Sequence, residues 1–262
     1  MKLFLAAFWA EVLKTRRSKV PWLTGAGFLI LPLVSGLFMI ILKDPEKAKD
    51  LGIISMKAQL TGGTADWQTF FGMLNMGTSI AGLILFSIIT AWVFGREFSD
   101  HTVKELLALP TPRWKVVTAK LLITTLLPLM LTLLIFLVGL GIATAVEIPG
   151  FSSDLLRSSF GSLMLITSLT IMLMPVVAFI ASVGRGYLPP LGWAFLTMAL
   201  AQIAVVMGWG EWFPWAVPSL LSEFSGAAHQ PLSIHSFLAV FFTFILGSTA
   251  TLLWWNRADQ AG

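Results

Sequence analysis

Six runs of about twenty or more mostly apolar residues divide the chain, near Val20–Leu42, Met73–Phe94, Val116–Val146, Phe160–Val183, Leu188–Gly208 and Ser236–Trp255. A helix rises about 1.5 Å per residue, so roughly 20 residues cross the ~30 Å hydrocarbon layer of a bilayer. Inside hydrocarbon a segment must satisfy its own backbone N–H and C=O groups, which makes such runs helical. The expected fold class is therefore all-α integral membrane, with six transmembrane helices. Composition agrees, since the 262 residues are 56% hydrophobic and only 11% charged, against about 25% charged in soluble domains. Pro32, Pro128 and Pro175 lie within runs and read as kinks that neighbouring helices re-satisfy. The third run is long enough to tilt or to project beyond the membrane.

Residues 1–19 read as an amphipathic helix in the membrane surface. Leu5, Phe8 and Val12, with Trp9 and Leu13 beside them, recur at helical spacing, while Lys2, Glu11, Lys14, Arg16 and Arg17 supply a polar side. The stretch lacks a clean cleavage site and does not read as a signal peptide. With a cytoplasmic N-terminus, 12 of the 17 basic residues fall inside; Lys43, Lys47, Lys49, Lys57 and Arg157 fall outside. The positive-inside rule thus puts both termini in the cytoplasm. Trp22, Trp92, Trp254 and Trp255 then mark an inner aromatic belt and Trp209, Trp212 and Trp215 an outer one. The net charge of +4 fits basic loops and gives no reason to expect nucleic acid as a partner. Outside the membrane, residues 43–72 form a polar loop with a turn at Gly62-Gly63. Residues 209–232 are aromatic, proline-broken and apolar, and read as a re-entrant or interfacial segment before the sixth span.

The runs carry little ionisable chemistry. No Asp, Glu, Lys, Arg or His is expected in their apolar cores, which speaks against a proton- or sodium-coupled transporter or an intramembrane hydrolase. Asn75 and Gln202 are the stronger polar groups there, and with Trp212 and Trp215 they are candidates for a substrate path or outer gate; helix-packing and interface anchoring are the alternative roles. Gly25-Ala26-Gly27 and Gly77 suit close helix packing. With no cysteines and no zinc spacing among the histidines, no metal or catalytic centre is expected. His229, His235 and Glu223 make only a loose grouping, too irregular for a metal-dependent enzyme. A G-x-x-x-x-G-K-[ST] phosphate loop is missing, so no cofactor is expected in this chain and any ATP would be hydrolysed elsewhere.

The longest charged interruption is Gly95–Lys120, GREFSDHTVKELLALPTPRWKVVTAK. Thr102 and Glu105 match a capping box at a helix start. Val103, Leu106 and Leu107 then share one face, and Pro110 ends the helix. The expected product is a short amphipathic helix between the second and third spans.

This stretch resembles the signature of ABC-2 type permeases, the membrane subunits of one class of ATP-driven exporters. The matching residues are Arg96-Glu97, Thr102, Leu106-Leu107, Leu109-Pro110, Arg113 and Lys120; His101 stands where the family has Gly. The resemblance implies a domain of six spans over 20–262 behind the 1–19 helix, with 95–120 as the coupling segment. It implies that Arg96, Glu97, Thr102, Val103, Lys104, Glu105, Leu106, Leu107 and Arg113 engage cytoplasmic ATPase subunits, which hold ATP and Mg. It also implies a second permease chain, identical or similar. Chains of this size in the family resemble bacitracin-resistance and lantibiotic-immunity permeases, which expel amphipathic peptides; others move lipids. The expected function is export of a hydrophobic or amphipathic substrate. A membrane scaffold or sensor that recruits an ATPase without transporting anything would carry the same charged stretch.

Overall fold

Each expected span is a helix in the computed structural model, which describes residues 2–43, 64–108, 110–222 and 232–257. The order is α1 Lys2–Arg17, α2 Val20–Lys43, α3 Trp67–Ser99, α4 Val103–Ala108, α5 Arg113–Ala145, α6 Ser153–Val183 and α7 Leu188–Val206. A 3₁₀ turn at Gly210–Trp212 follows, then α8 Val217–Leu221 and α9 Ile234–Arg257. Six of these, α2, α3, α5, α6, α7 and α9, are long and apolar enough to cross a membrane.

Local chemistry fixes the helix starts. Asp66 caps α3, accepting a 2.7 Å bond from the Thr69 N–H, and Ser152 caps α6 with a 3.1 Å bond from the Leu155 N–H. Pro189 sits in the first turn of α7, where its missing N–H has no helical partner to lose. Three helices are long, with 33 residues in α3, 33 in α5 and 31 in α6; α3 and α6 outrun their apolar segments, while α5 nearly matches its own. At about 1.5 Å per residue these are nearly 50 Å long. In α3 and α6 hydropathy marks only the lipid-depth portion; the polar ends continue as helix by packing on one another. The 43–72 loop is correspondingly shorter than expected, because Trp67–Gly72 belong to α3. Gly62-Gly63 lie outside the described residues.

Helices α3 and α6 form the centre, α3 packing on α2, α5, α6 and α7, and α6 on α3, α5, α7 and α9. Phe28, Phe70 and Phe86 are fully buried there, with the Phe28 and Phe86 rings 5.5 Å apart across the α2–α3 contact. The small residues work as expected, Gly27 lying against Leu85 and Gly77 against Leu31 on the facing helices. The α6–α9 contact depends on Gly247, where an added Cβ would stand 2.7 Å from the Val176 nitrogen. That closeness lets Thr251 donate a 3.1 Å bond to the Pro175 carbonyl at the proline in α6. Trp255 departs from the expected belt: it is 1% exposed and donates to Ser182 at 2.9 Å. Trp22, by contrast, is 74% exposed.

The α7–α9 connection reaches far along α3. Ser222 and Ser79 hydroxyls meet at 2.8 Å, and Ser79 lies about 18 Å along the helix from the start of α3. Trp215 packs edge-on against Trp193 of α7, ring centres 5.7 Å apart. Residues 223–231, including Glu223 and His229, lie outside the described residues.

Candidate functional site

The charged interruption is not a loop with one helix in it. Gly95–Ser99 continue α3, Arg113–Lys120 open α5, and only residues 100–112 connect them, with α4 in the middle. His101 makes the turn between α3 and α4 with φ of 57°, the left-handed conformation that glycine adopts most readily.

Five charged side chains from three helices converge where α3 ends and α5 begins. One Glu97 oxygen, Oε1, lies 2.9 Å from the Lys14 ammonium of α1, 2.9 Å from the Lys120 ammonium of α5 and 3.4 Å from Arg96 Nε. Its other oxygen accepts a 2.7 Å bond from the Thr102 hydroxyl, at the start of α4. Glu11 of α1 pairs with Arg96 Nη2 and lies 3.2 Å from Lys120 and 3.5 Å from Lys14. Lys120 also donates to the Val93 carbonyl at 3.0 Å, and the Arg96 guanidinium lies 4.6 Å from the Trp92 ring centre. Glu11, Arg96, Glu97 and Lys120 are all buried; Lys14 is partly open. Two carboxylates face three cations, and each buried charge has an opposite partner, as burial requires.

Lys120, at the opening of the third run, is 0% exposed and is admitted there because Glu11 and Glu97 enclose it. The cluster corrects one expectation. Glu11 belongs to the inward face of α1 rather than its polar side. The face is Phe4, Phe8, Glu11 and Thr15, at helical spacing, while Leu5 and Trp9 are exposed. Neither Glu11 nor Lys14 was singled out as a site residue from sequence. The signal for Glu11 was its place on the Phe4–Phe8 stripe.

The remaining coupling candidates divide. Thr102 does not close a capping box among the described residues; its hydroxyl donates to Glu97, while its carbonyl accepts from the Leu106 N–H at 3.0 Å. Val103 is 7% exposed and Leu106 is half-buried against the core. The apolar face of α4 therefore rests on its own chain, since a helix of 6 residues needs tertiary contact to persist. Lys104, Glu105 and Ala108 are exposed. Leu107 is on the helix, but its side chain and all of Leu109 lie outside the described residues. Arg113 donates to the Trp255 carbonyl at 3.3 Å, on the last turn of α9, where a cation suits the helix dipole. Beside the cluster is an open groove of about 650 Å³, bordered by Lys14, Arg17, Asp100, Glu105 and Leu106.

The substrate-path candidates stand apart from this cluster. Asn75 is half-buried on α3 and Gln202 is exposed on α7. Trp212, 70% exposed, stacks on His235 with ring centres 4.2 Å apart, and His235 Nε2 lies 3.3 Å from Glu211. Trp215 is half-buried against Trp193.

A family model described as ABC-2 family transporter protein matches residues 7–202. That range takes in all five charged residues of the cluster. A bacitracin transport permease protein of Bacillus licheniformis is 25% identical over 183 residues, 69% of this chain and 86% of the relative.

Proposed function

The chain belongs to the ABC-2 transporter family, and from that premise we propose that it is the permease of an exporter driven by ATP hydrolysis in separate cytoplasmic subunits. It acts with a second permease chain and expels an amphipathic cargo, a class that includes peptide antibiotics of the bacitracin kind and lipid-like molecules. Both termini are cytoplasmic, on the basic-residue count. Helix α1 lies along the inner surface, and residues 209–222 dip back into the outer leaflet. The contact of Ser222 with Ser79, well down α3, supports that re-entrant course.

One observation carries the coupling mechanism. Glu97 joins the start of α4, through Thr102, to α1 through Lys14 and to α5 through Lys120. ATP-driven closure of the partner subunits pushes on α4. Because the cap of α4 is bonded to Glu97, displacement reaches the inner ends of α3 and α5 and the helix α1 together. Lys104, Glu105 and Ala108 present the outward face of α4 to the partner. This revises the expectation that Val103 docks there, since Val103 is covered by its own chain.

The test is a permease–ATPase complex carrying Glu97→Gln or the charge reversal Lys104→Glu/Glu105→Lys. Glu97→Gln is expected to leave the complex assembled and to lower cargo-stimulated ATP hydrolysis and transport about tenfold or more, a cost of roughly 1.4 kcal/mol or above. The double reversal is expected to weaken assembly itself. Normal stimulation and transport in both variants would remove α4 as the coupling element. ATP hydrolysis without movement of any cargo in the wild type would favour a recruiting scaffold.

A further inference from the structure

A second cavity, of about 680 Å³, lies between α1, α2 and α5, lined on α1 by Phe8, Val12, Thr15 and Arg16. Its lining is almost wholly apolar, and its polarity runs one way. Thr15 and Arg16 stand at the junction of α1 and α2; Leu134 of α5 marks the far end. Along α5 the wall extends from Ile123 to Leu134, about 17 Å at the helical rise, close to one leaflet of a ~30 Å hydrocarbon layer. Trp22, strongly exposed beside Arg16, has the position of an interface anchor.

We propose that this groove holds one anionic phospholipid of the inner leaflet, an acyl chain along α5 and the phosphate at Arg16. Three features select that occupant. The groove opens to the side rather than into the protein core, with Trp22, Met130 and Leu134 on its wall, so bilayer lipid reaches it directly. The single charged group lining it is a guanidinium, whose planar donors bind a phosphate in pairs. Among the described residues no carboxylate lines the groove beside Arg16, so its mouth favours an anionic head group over a zwitterionic one. The bound chain would fill the gap between α1 and α2 and bear on Phe8 and Val12 of α1, beside Glu11. Assignment to the inner leaflet rests on the orientation proposed above; the site itself does not.

Lipid binding is measured on the full-length protein in detergent by native mass spectrometry, with phosphatidylglycerol and phosphatidylcholine of the same acyl chains as probes. Detergent has no sides, so an inverted orientation would not change the result. Wild type is expected to prefer phosphatidylglycerol about five- to tenfold, the worth of one basic residue near a membrane surface. Arg16→Gln should abolish the preference, and Arg16→Lys, which keeps the charge and loses the paired donors, should weaken it. Ala26→Phe, an exposed groove-lining position on α2, should weaken both lipids. Lys19→Gln should leave the preference within about twofold, which separates the groove from general surface charge. Equal affinity for both lipids, or unchanged binding in Arg16→Gln and Ala26→Phe, would each overturn the proposal.

Discussion

Lys120 shows what a buried charge demands of its surroundings. Its ammonium is 0% exposed and is held by Glu11, Glu97 and the Val93 carbonyl. Removing the ammonium takes the most deeply buried cation away from both carboxylates and loses its bond to the Val93 carbonyl, and breaking a buried pair typically costs 3–5 kcal/mol. Lys120→Met keeps the length and loses the charge, so we expect it to lower stability by about 3 kcal/mol. In a chain of this size that is a fall in Tm of roughly 6–10 °C, read in detergent by thermal scanning. Lys104→Met, at an exposed position of α4, should stay within about 0.5 kcal/mol of wild type. Equal stability of the two variants would mean that the cluster is no structural unit. Sequence made half of this site legible. Arg96-Glu97 and Thr102 stand out in a charged motif, but Glu11 and Lys120 become partners only when α1 lies across α3 and α5. Periodicity sorts residues by face and cannot say that a face contains a paired charge.

At the scale of elements, the apolar runs located all six long helices and misjudged their ends, because helix continues beyond hydrocarbon wherever caps and packing sustain it. The start of α3 is the clearest case. Asp66 precedes the apolar run by several residues, yet its carboxylate caps the helix and its other oxygen accepts from Thr64. Partial burial raises its pKa, but the bonds from Thr64, Thr69 and Gln68 outweigh that and hold the carboxyl below its usual value. A depressed carboxylate contributes stability above its unfolded pKa, near 3.9, and loses it as pH falls through the lowered folded value. Asp66→Ala is therefore expected to cost about 1 kcal/mol at pH 7. The difference from wild type should shrink as pH drops below about 4. Thermal scans of both proteins from pH 7 downward check this; a gap independent of pH would assign the cap energy to something other than the ionised carboxylate. The short helix α4 was legible in place and length, and its inward-turned Val103 was not, because a single amphipathic turn does not reveal whether its own chain or a partner covers it.

For the whole molecule, the unequal helix lengths set the architecture. Helix α7 has 19 residues, about 28 Å, beside α3 with 33. The 3₁₀ turn and α8 follow the end of the short helix and lie alongside its long neighbour, where Ser222 meets Ser79. That arrangement makes a re-entrant course and a cytoplasmic N-terminus jointly testable. The chain has no cysteine, so single cysteines report without background. Phe151→Cys, exposed between α5 and α6, should react with a membrane-impermeant maleimide in intact cells. Ser18→Cys, between α1 and α2, should react only after permeabilisation. The pair Ser79→Cys/Ser222→Cys replaces two hydroxyls already in contact and should cross-link on mild oxidation. A mobility shift on a non-reducing gel after cleavage between the two sites reads the link. The reverse labelling pattern would invert the proposed orientation while leaving the cross-link intact. Loss of the cross-link with labelling as expected would remove the re-entrant course alone, because Ser222 would then not sit at the depth of Ser79.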